Sequence, residues 1–219
     1  HNAGMLLIDS FSSSEAIGMG SSVSAAGAEE RTAHFSLGSG VRVITDDGDD
    51  VAPGSGDRGR VAIPGHVPLG YYKDAEKSAA TFIERDGKRY SMPGDYATVE
   101  ADGSITLLGR GSVCINTGGE KVFPEEVEEA LKTHDEVRDA VVVGVPDEKF
   151  GEAITAVVEL APGETVDAQE LIAHVKGCLA AYKAPKHVVF VDTIGRAPNG
   201  KVDYKKAGSI ARTELGIQD

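Results

Sequence analysis

The amino-acid sequence predicts an α+β, multidomain protein with a β-rich first half and a small α+β module in the second half. Two patterns predict this class. Up to residue 108, short apolar runs alternate with turns rich in Gly and Asp, which is typical of β-structure. After residue 109, amphipathic patterns alternate with apolar runs of strand length, which is typical of mixed helices and strands. We therefore place a boundary near Gly109 and Arg110, between residues 1–108 and residues 109–219.

The first half predicts one helix among several strands. The helix covers Asp74–Glu84, because apolar residues recur there at helical spacing. Each predicted strand is a short apolar run that ends at turn residues. These strands cover Met5–Ile8, Val41–Ile44, Gly59–Ile63 and Ser104–Leu108.

The second half predicts the order helix, strand, strand, helix, strand, helix. The first helix begins at Pro124, which suits the first helical position, and acidic residues follow near the positive helix N-terminus. Asp167 predicts the start of the second helix, and Asp203–Leu215 is the third. The three strands are Val141–Val145, Ile154–Leu160 and Val188–Val191. The core stripe predicted for the second helix is Leu171, Ile172, Val175, Leu179 and Tyr182.

Composition and charge exclude several classes of protein. The 219 residues are 41% hydrophobic and 26% charged, as in ordinary globular proteins. The formal net charge is −13, from 22 basic and 35 acidic side chains, and this field repels nucleic acids and acidic membrane surfaces. No apolar run approaches the roughly 18 residues of a membrane-spanning helix. We therefore expect neither a nucleic-acid partner nor a transmembrane segment.

The cysteines and the first residues bear on the cellular compartment. Cys114 and Cys178 lack a Cys-x-x-Cys or Cys/His pattern, so we expect both to be core or strand residues outside any zinc site or disulfide framework. His1–Leu7 has no signal-peptide pattern, and a cytoplasmic protein is expected. The chain starts without an initiator Met and runs at once into an apolar stretch, so we expect it to be part of something longer.

The segment Gly109–Glu128 carries the densest group of candidate residues. Its glycines let the backbone approach another surface closely, and Arg110 offers a planar donor fork at the predicted boundary. By spacing alone, a turn between two strands with a surface arginine is the simpler explanation. The segment resembles, however, the boundary motif of the adenylate-forming enzymes, the superfamily of acyl-CoA synthetases, luciferases and nonribosomal peptide adenylation domains. Within it, the run Gly-Glu-Lys-Val-Phe-Pro-Glu-Glu-Val-Glu looks like acyl-CoA synthetases of the fatty-acid type.

Three other segments resemble the same family in the same order. Phe11–Glu15 with Gly18 is similar to the family's aromatic-Gly-x-Thr-Glu motif, with Ser12 where the family has Gly and Ser14 where it has Thr. The resemblance implies that Ser14 and Glu15 face ATP and its Mg²⁺. A carboxylate oxygen is a ligand that such a hard cation prefers.

The next segment, Pro93–Asp95, resembles the family's Gly-Asp motif. The resemblance implies that Asp95 accepts hydrogen bonds from the ribose hydroxyls of the nucleotide, a recurrent arrangement for carboxylates. Leu69–Asp74 resembles a Gly-Tyr-x-x-Asp stretch of acyl-CoA synthetases, which supports the family but adds no catalytic residue. Without the resemblance, Pro-Gly-Asp is simply a turn.

The last segment, Gly195–Lys201, resembles the C-terminal motif Pro-Arg-Thr-x-x-Gly-Lys, with Gly195 in place of Pro and Ala197 in place of Thr. The resemblance implies that Lys201 bridges the substrate carboxylate and the α-phosphate of ATP. A cation at that point offsets negative charge where two anions must approach one another.

The boundary segment implies further roles by the same resemblance. Arg110 would contact the nucleotide, and Thr117–Glu120 would line the coenzyme A channel after the small domain rotates. Val113 stands where the family has its hinge Asp, so we expect the rotation to pivot differently. The residues assigned to the channel are Thr117, Gly118, Gly119 and Glu120.

Together these segments imply the β-rich, barrel-like tail of the large adenylate-forming domain in residues 1–108 and the mobile C-terminal domain in residues 109–219. The implied reaction activates a carboxylic acid with ATP and Mg²⁺ and transfers it to coenzyme A, with Lys201 and Glu15 as the catalytic residues. The family's phosphate-binding loop lies outside these 219 residues, so we expect the isolated chain to be inactive. The acid and the oligomeric state stay open.

Three alternatives remain at this point. A fatty acyl-AMP ligase would stop at the adenylate or pass it to a carrier protein. A peptide-synthetase adenylation domain would need a carrier domain, yet the sequence stops soon after Lys201, which disfavours it. A non-catalytic module would bind nucleotide, coenzyme A or a protein partner without turnover.

Overall fold

The computed structural model describes residues 5–25 and 33–217. It divides into two compact units, His1–Gly111 and Ser112–Asp219. In the described part of the first unit, nine strands form one sheet, and the helix α1 covers Ala75–Thr81. The strands are β1 Leu6–Ser13, β2 Ala16–Ala25, β3 His34–Leu37, β4 Arg42–Ile44, β5 Arg58–Pro64, β6 Phe82–Arg85, β7 Lys88–Ser91, β8 Asp95–Val99 and β9 Ile105–Arg110.

The sheet of the first unit is an open path of strands. Its order is β1-β2-β3-β9-β8-β5-β7-β6, with β4 paired to β5. The predicted sheet-rich α+β class is confirmed, but the barrel-like expectation is corrected, because β1 and β6 do not pair within the described residues. The long β1–β2 hairpin reaches past the core, since Leu6, Leu7 and Ile8 are each more than half exposed.

The core of the first unit is built from alternating residues of the central strands. Met19, Val61, Ala97 and Ile105 are completely buried in one cluster. Ala62, the neighbour of Val61 on β5, belongs to a second cluster on the opposite face. Burying a side chain of the size of Val or Ile stabilises a fold by about 1.5–3 kcal/mol, so this strand is held from both sides.

The predicted helix of the first half is shorter than expected. Asp74 caps α1, because its carboxylate accepts a hydrogen bond of 3.0 Å from the backbone N–H of Lys77. The helix ends at Thr81, and Phe82 enters β6, which pairs with β7. Pairing with β7 therefore overrides the helical spacing that Phe82 and Ile83 show in the sequence.

The described part of the second unit contains three helices and a sheet of five strands. The helices are α2 Pro124–Lys132, α3 Ala168–Cys178 and α4 Tyr204–Leu215. The strands are β10 Ile115–Thr117, β11 Glu120–Val122, β12 Val137–Asp147, β13 Gly151–Leu160 and β14 His187–Val191. The order β11-β10-β13-β12 is antiparallel, and β14 joins β13 in parallel. The predicted order from α2 to α4 is confirmed, whereas the short hairpin β10–β11 was not predicted.

The β12–β13 pair is covered on both faces. Val142 on β12 packs in a cluster with Val127 of α2 and Leu171 of α3. Val141, one position earlier, packs on the opposite face in a cluster with Ala207 of α4. This two-sided burial explains why Val141–Val145 is a continuous apolar run instead of an alternating one.

Three predicted core positions need correction. Cys178 is exposed in the last turn of α3, because the buried stripe of that helix ends at Val175. Tyr182 lies in a 3₁₀ turn after the helix and is 48% exposed. Cys114 is half-buried and lies outside the strands, and neither cysteine forms a disulfide. No helix within residues 5–25 and 33–217 is long and apolar enough to cross a membrane.

A buried carboxyl group joins α2 to the sheet. Glu128 is 5% exposed, and its Oε1 accepts a hydrogen bond of 2.9 Å from the backbone N–H of Val142. Strand β12 ends the strand order, so this bond satisfies a backbone donor at the edge of the sheet. Burial raises the pKa of Glu128 to about 7, against an ordinary value of 4.5.

This pKa predicts a pH-dependent stability. Between pH 4.5 and 7, Glu128 is ionised in the unfolded chain and protonated in the folded chain. The free energy of unfolding therefore falls as the pH rises through that window, because ionisation favours the unfolded chain. We expect Glu128→Gln, which keeps the acceptor for Val142, to raise the free energy of unfolding by up to about 3 kcal/mol above pH 7. Urea unfolding followed by circular dichroism from pH 4 to pH 8 measures the difference.

The matched control is Glu129→Gln on the same helix, where the carboxylate is 37% exposed and pairs with Lys132. This variant should show no gain that grows with pH. A gain of Glu128→Gln that is the same at every pH would contradict the prediction, because it would reflect packing instead of ionisation.

Candidate functional site

The first candidate residues occupy the turn between β1 and β2. Ser13 pairs with Ala16, so Ser14 and Glu15 form the two-residue turn of this hairpin. The Ser13 hydroxyl accepts a hydrogen bond of 3.2 Å from the backbone N–H of Glu15. Ser14 is exposed and Glu15 is half-buried. The turn therefore presents a hydroxyl and a carboxylate side by side.

The Glu15 carboxylate is held by a residue to which the sequence assigned no role. The Tyr71 hydroxyl donates a hydrogen bond of 2.7 Å to Glu15 Oε1. The Tyr71 ring lies under the ammonium of Lys77 at 4.1 Å and packs against Phe82 at 5.5 Å between ring centroids. The bond from Tyr71 is the largest cause that lowers the pKa of Glu15, and the charge of Arg110 adds to it. Glu15 is therefore ionised at neutral pH.

Asp95 and Arg110 meet across two neighbouring strands. Asp95 begins β8, Arg110 ends β9, and the two residues are register partners. Arg110 Nε donates a hydrogen bond of 3.1 Å to Asp95 Oδ1. The Asp95 side chain is 8% exposed and that of Arg110 58%. Asp95 Oδ2 is buried and has no hydrogen-bond partner among the described residues. A buried acceptor of this kind is costly unless a donor reaches it.

A cleft of about 630 Å³ lies beside the Glu15 turn. Its lining includes Ser14, Glu15, Ile63, Pro64 and His66. The described residues contain no group of three or more His, Cys, Asp or Glu side chains placed to hold a metal ion. One ionised carboxylate still fits Mg²⁺, because this ion is usually held by one or two carboxylates together with substrate phosphates and water. Glu15 is the residue that would hold it.

In the second unit, Thr117–Glu120 forms the tip of the β10–β11 hairpin. Thr117 pairs with Glu120, and Gly118 and Gly119 form the turn with φ values of +60° and +89°. Glycine adopts these left-handed values without strain. The N–H of Gly118 donates a hydrogen bond of 2.8 Å to the carbonyl of Phe150, which ties the tip to the start of β13.

Lys201 ends a loop that is closed by its own hydrogen bonds. The N–H of Ala197 donates to the carbonyl of Lys201 at 3.0 Å, and the N–H of Gly200 donates to the carbonyl of Ala197 at 2.8 Å. The Asn199 side chain accepts a bond of 3.1 Å from the N–H of Lys201. The Lys201 side chain is exposed. A flexible cation is thus presented on a tight turn.

Val113 lies in a 3₁₀ turn, Gly111–Val113, and is half-buried. It lines a cleft of about 380 Å³ together with Gly144 of β12 and Tyr204 and Arg212 of α4. The residue at the predicted hinge thus contributes apolar surface to the second unit, where the family has a carboxylate.

The structure brings together predicted residues that are far apart in sequence. Glu15, Asp95 and Arg110 lie in the first unit, with Asp95 bonded to Arg110 and Glu15 within the field of Arg110. Thr117–Glu120, Val113 and Lys201 lie in the second unit. The contact of Tyr71 with Glu15 was not predicted, although Tyr71 belongs to the Gly-Tyr-x-x-Asp segment that resembles acyl-CoA synthetases.

The comparisons with known proteins agree with these motifs. Residues 126–201 match the AMP-binding enzyme C-terminal domain. A 3-oxocholest-4-en-26-oate–CoA ligase of Rhodococcus rhodochrous is 60% identical over 165 residues, which are 75% of this chain and 30% of that protein. A medium/long-chain-fatty-acid–CoA/3-oxocholest-4-en-26-oate–CoA ligase of Mycolicibacterium smegmatis is 50% identical over 206 residues, which are 94% of this chain and 37% of that protein.

A solved structure extends the match to most of the fold. The anthranilate CoA ligase AuaEII in complex with anthranoyl-AMP is 26% identical with a TM-score of 0.77, over 95% of this chain and 40% of that one. The chain thus spans only about a third of the length of the curated relatives that it matches.

The contact between Tyr71 and Glu15 predicts a change in titration. We expect Tyr71→Phe to move the pKa of Glu15 upward, because the variant loses the hydrogen bond that most favours the carboxylate. The carboxyl carbon resonance of Glu15, followed by NMR across the acid pH range in this chain, measures the shift.

Tyr72→Phe is the matched control, since Tyr72 is the next residue and is 87% exposed. It should leave the Glu15 titration where it is. An unchanged Glu15 titration in Tyr71→Phe would show that the hydrogen bond does not set this pKa.

Proposed function

From the premise that this chain belongs to the adenylate-forming enzymes, we propose that it is the C-terminal part of an ATP-dependent acyl-CoA synthetase. Residues 1–108 form the tail of the large adenylation domain, and residues 109–219 form the mobile C-terminal domain. The full enzyme converts a carboxylic acid, ATP and coenzyme A into an acyl-CoA thioester, AMP and pyrophosphate. We place it in the cytoplasm, where cysteines stay reduced, since neither Cys114 nor Cys178 forms a disulfide.

One observation carries this proposal. Glu15, Asp95 and Arg110 come from three separate motifs and lie in the same unit. Arg110 is hydrogen-bonded to Asp95, and its charge lowers the pKa of Glu15. A carboxylate for a cation, a carboxylate with an unpaired buried oxygen and a guanidinium form a donor and acceptor set that suits a nucleotide. Ser14 adds an exposed hydroxyl beside Glu15.

The residues divide the work of the first half-reaction. Asp95 accepts the ribose hydroxyls, Arg110 contacts the nucleotide, and Ser14 and Glu15 face the phosphates, with Mg²⁺ on Glu15. The substrate carboxylate oxygen attacks the α-phosphorus, the bond from that phosphorus to the bridging oxygen breaks, and pyrophosphate leaves. Lys201 stabilises the charge that builds up between the two anions. Mg²⁺, which Glu15 would hold, would supply positive charge against the phosphates.

The second half-reaction uses the β10–β11 turn of the mobile domain. The thiolate of coenzyme A attacks the acyl carbonyl, and AMP leaves with the electron pair of the broken C–O bond. The coenzyme A channel is lined by the turn Thr117, Gly118, Gly119 and Glu120. Because its two central residues are glycines, the backbone can approach the pantetheine chain of coenzyme A closely. Between the two steps the mobile domain rotates about Val113, so that Lys201 leaves the active site and this turn enters it.

The acid has a large apolar body. The two curated relatives described above are named for medium- and long-chain fatty acids and for a steroid side-chain acid. At 50–60% identity, a related substrate class is the natural assignment for this enzyme. We therefore assign a medium- or long-chain fatty acid or a steroid carboxylic acid.

The role of Lys201 predicts a split between the half-reactions. In the full enzyme, Lys201→Ala should slow adenylation by about 10²–10³-fold, because one preorganised charge is removed from the transition state. Thioester formation from separately supplied acyl-adenylate should be spared. Pyrophosphate release and thioester yield measure the two steps.

Lys176→Ala is the control, since Lys176 is an exposed lysine on α3, away from the Lys201 loop in sequence. It should retain both rates. Equal loss of both half-reactions in Lys201→Ala would contradict the assigned role.

If coenzyme A is the acyl acceptor, the products depend on its presence. With an octanoate or a steroid acid, ATP and Mg²⁺, the full enzyme should form acyl-CoA only when coenzyme A is present, as followed by mass spectrometry. Stable acyl-AMP that is indifferent to coenzyme A would instead indicate a fatty acyl-AMP ligase. Nucleotide binding without turnover would indicate a binding module.

A further inference from the structure

The loop that carries Lys201 is held from outside by one arginine. Arg196 Nε donates a hydrogen bond of 2.6 Å to Asp139 Oδ2, and Arg196 Nη2 donates one of 2.8 Å to Asp139 Oδ1. This is a two-point contact with a carboxylate of β12, the geometry in which Arg fixes direction as well as distance.

The same guanidinium reaches into the loop. Its Nη1 donates a hydrogen bond of 3.2 Å to the carbonyl of Gly200, the residue before Lys201. Ala197, the residue after Arg196, donates its N–H to the carbonyl of Lys201 at 3.0 Å. The Arg196 guanidinium therefore links β12 to the carbonyl before Lys201, and the next residue, Ala197, closes the turn.

The strand end of this contact is itself well supported. The backbone N–H of Ala140 donates a hydrogen bond of 2.9 Å to Asp139 Oδ1, and the Asp139 side chain is 19% exposed. Burial alone would raise the pKa of Asp139, but the bonds and charge of Arg196 outweigh it and lower that pKa. Asp139 is thus a fixed, ionised anchor.

We infer that Arg196 is a positioning residue for Lys201: by clamping the 195–201 loop to Asp139, it fixes the point from which the Lys201 side chain reaches the reacting phosphate. This inference rests on the role proposed above for Lys201. The pair is partly exposed, with the Arg196 side chain at 31% and that of Asp139 at 19%, so solvent screens part of its attraction. Its effect is therefore on loop order and on rate, with little effect on folding.

The test uses Arg196→Gln, with Arg138→Gln as the matched control. Arg138 is the neighbour of Asp139 on β12, and both residues line a shallow cleft with Arg196, but the Arg138 guanidinium forms its ion pair with Glu159, at 3.2 Å. In this chain, the NMR order parameters of the Gly200 and Lys201 amides should fall from about 0.85 towards 0.6 in Arg196→Gln and stay unchanged in Arg138→Gln.

The second readout is one that a purely structural role would not move. In the full enzyme, Arg196→Gln should slow adenylation by about 10- to 100-fold through kcat, with thioester formation from supplied acyl-adenylate within about twofold of wild type. Asp139→Asn should act in the same direction, and the double variant should be no slower than Arg196→Gln, because the two residues act as one unit.

The outcomes separate this inference from the proposed function. If Lys201→Ala stops adenylation and Arg196→Gln leaves the adenylation rate unchanged, the proposed function stands and the positioning role of Arg196 is overturned. Equal loss of both half-reactions in Arg196→Gln also overturns it. If Lys201→Ala leaves adenylation intact, the proposed role of Lys201 fails, and the clamp fails with it.

Discussion

Two-sided burial of the β12–β13 pair is the constraint on which the second unit depends. Val142 and Val141 are completely buried on opposite faces, the first under α2 and α3 and the second under α4. Both faces of this strand are close-packed against helices, so a shift in its position would disrupt the packing of both clusters. Residues near the ends of the pair therefore keep fixed positions. Among them are Asp139 and the Phe150 carbonyl, which accepts the hydrogen bond from Gly118.

The functional loops use that fixed frame. The Thr117–Glu120 turn is bonded to the chain just before β13, and the Lys201 loop is bonded to the start of β12. Both loops are rich in Gly and exposed, which by itself favours mobility. Anchoring their ends to a buried strand pair lets a loop remain open to a substrate while its backbone stays ordered.

Two arginines of this acidic chain are each held by a more buried carboxylate. With a net charge of −13, the molecule has no general attraction for phosphates, so individual cations must be placed where they act. Arg110 is held by the buried Asp95, and Arg196 by Asp139. In each pair the carboxylate is the more buried partner, and the guanidinium projects towards solvent. The pairs thus orient cations more than they stabilise the fold.

The sequence by itself determined the order of elements in the second half, because that order depends on local signals: Pro124 and Asp167 start helices, and Val141–Val145 is a buried strand. It did not determine where the first helix ends, because Phe82 follows its partner strand β7 and not its helical spacing. Nor could it show the Tyr71–Glu15 bond, the Asp95–Arg110 pair or the Arg196–Asp139 clamp. Each of these joins residues that are distant along the chain, and only the pairing of strands and the closing of loops brings them within hydrogen-bond distance.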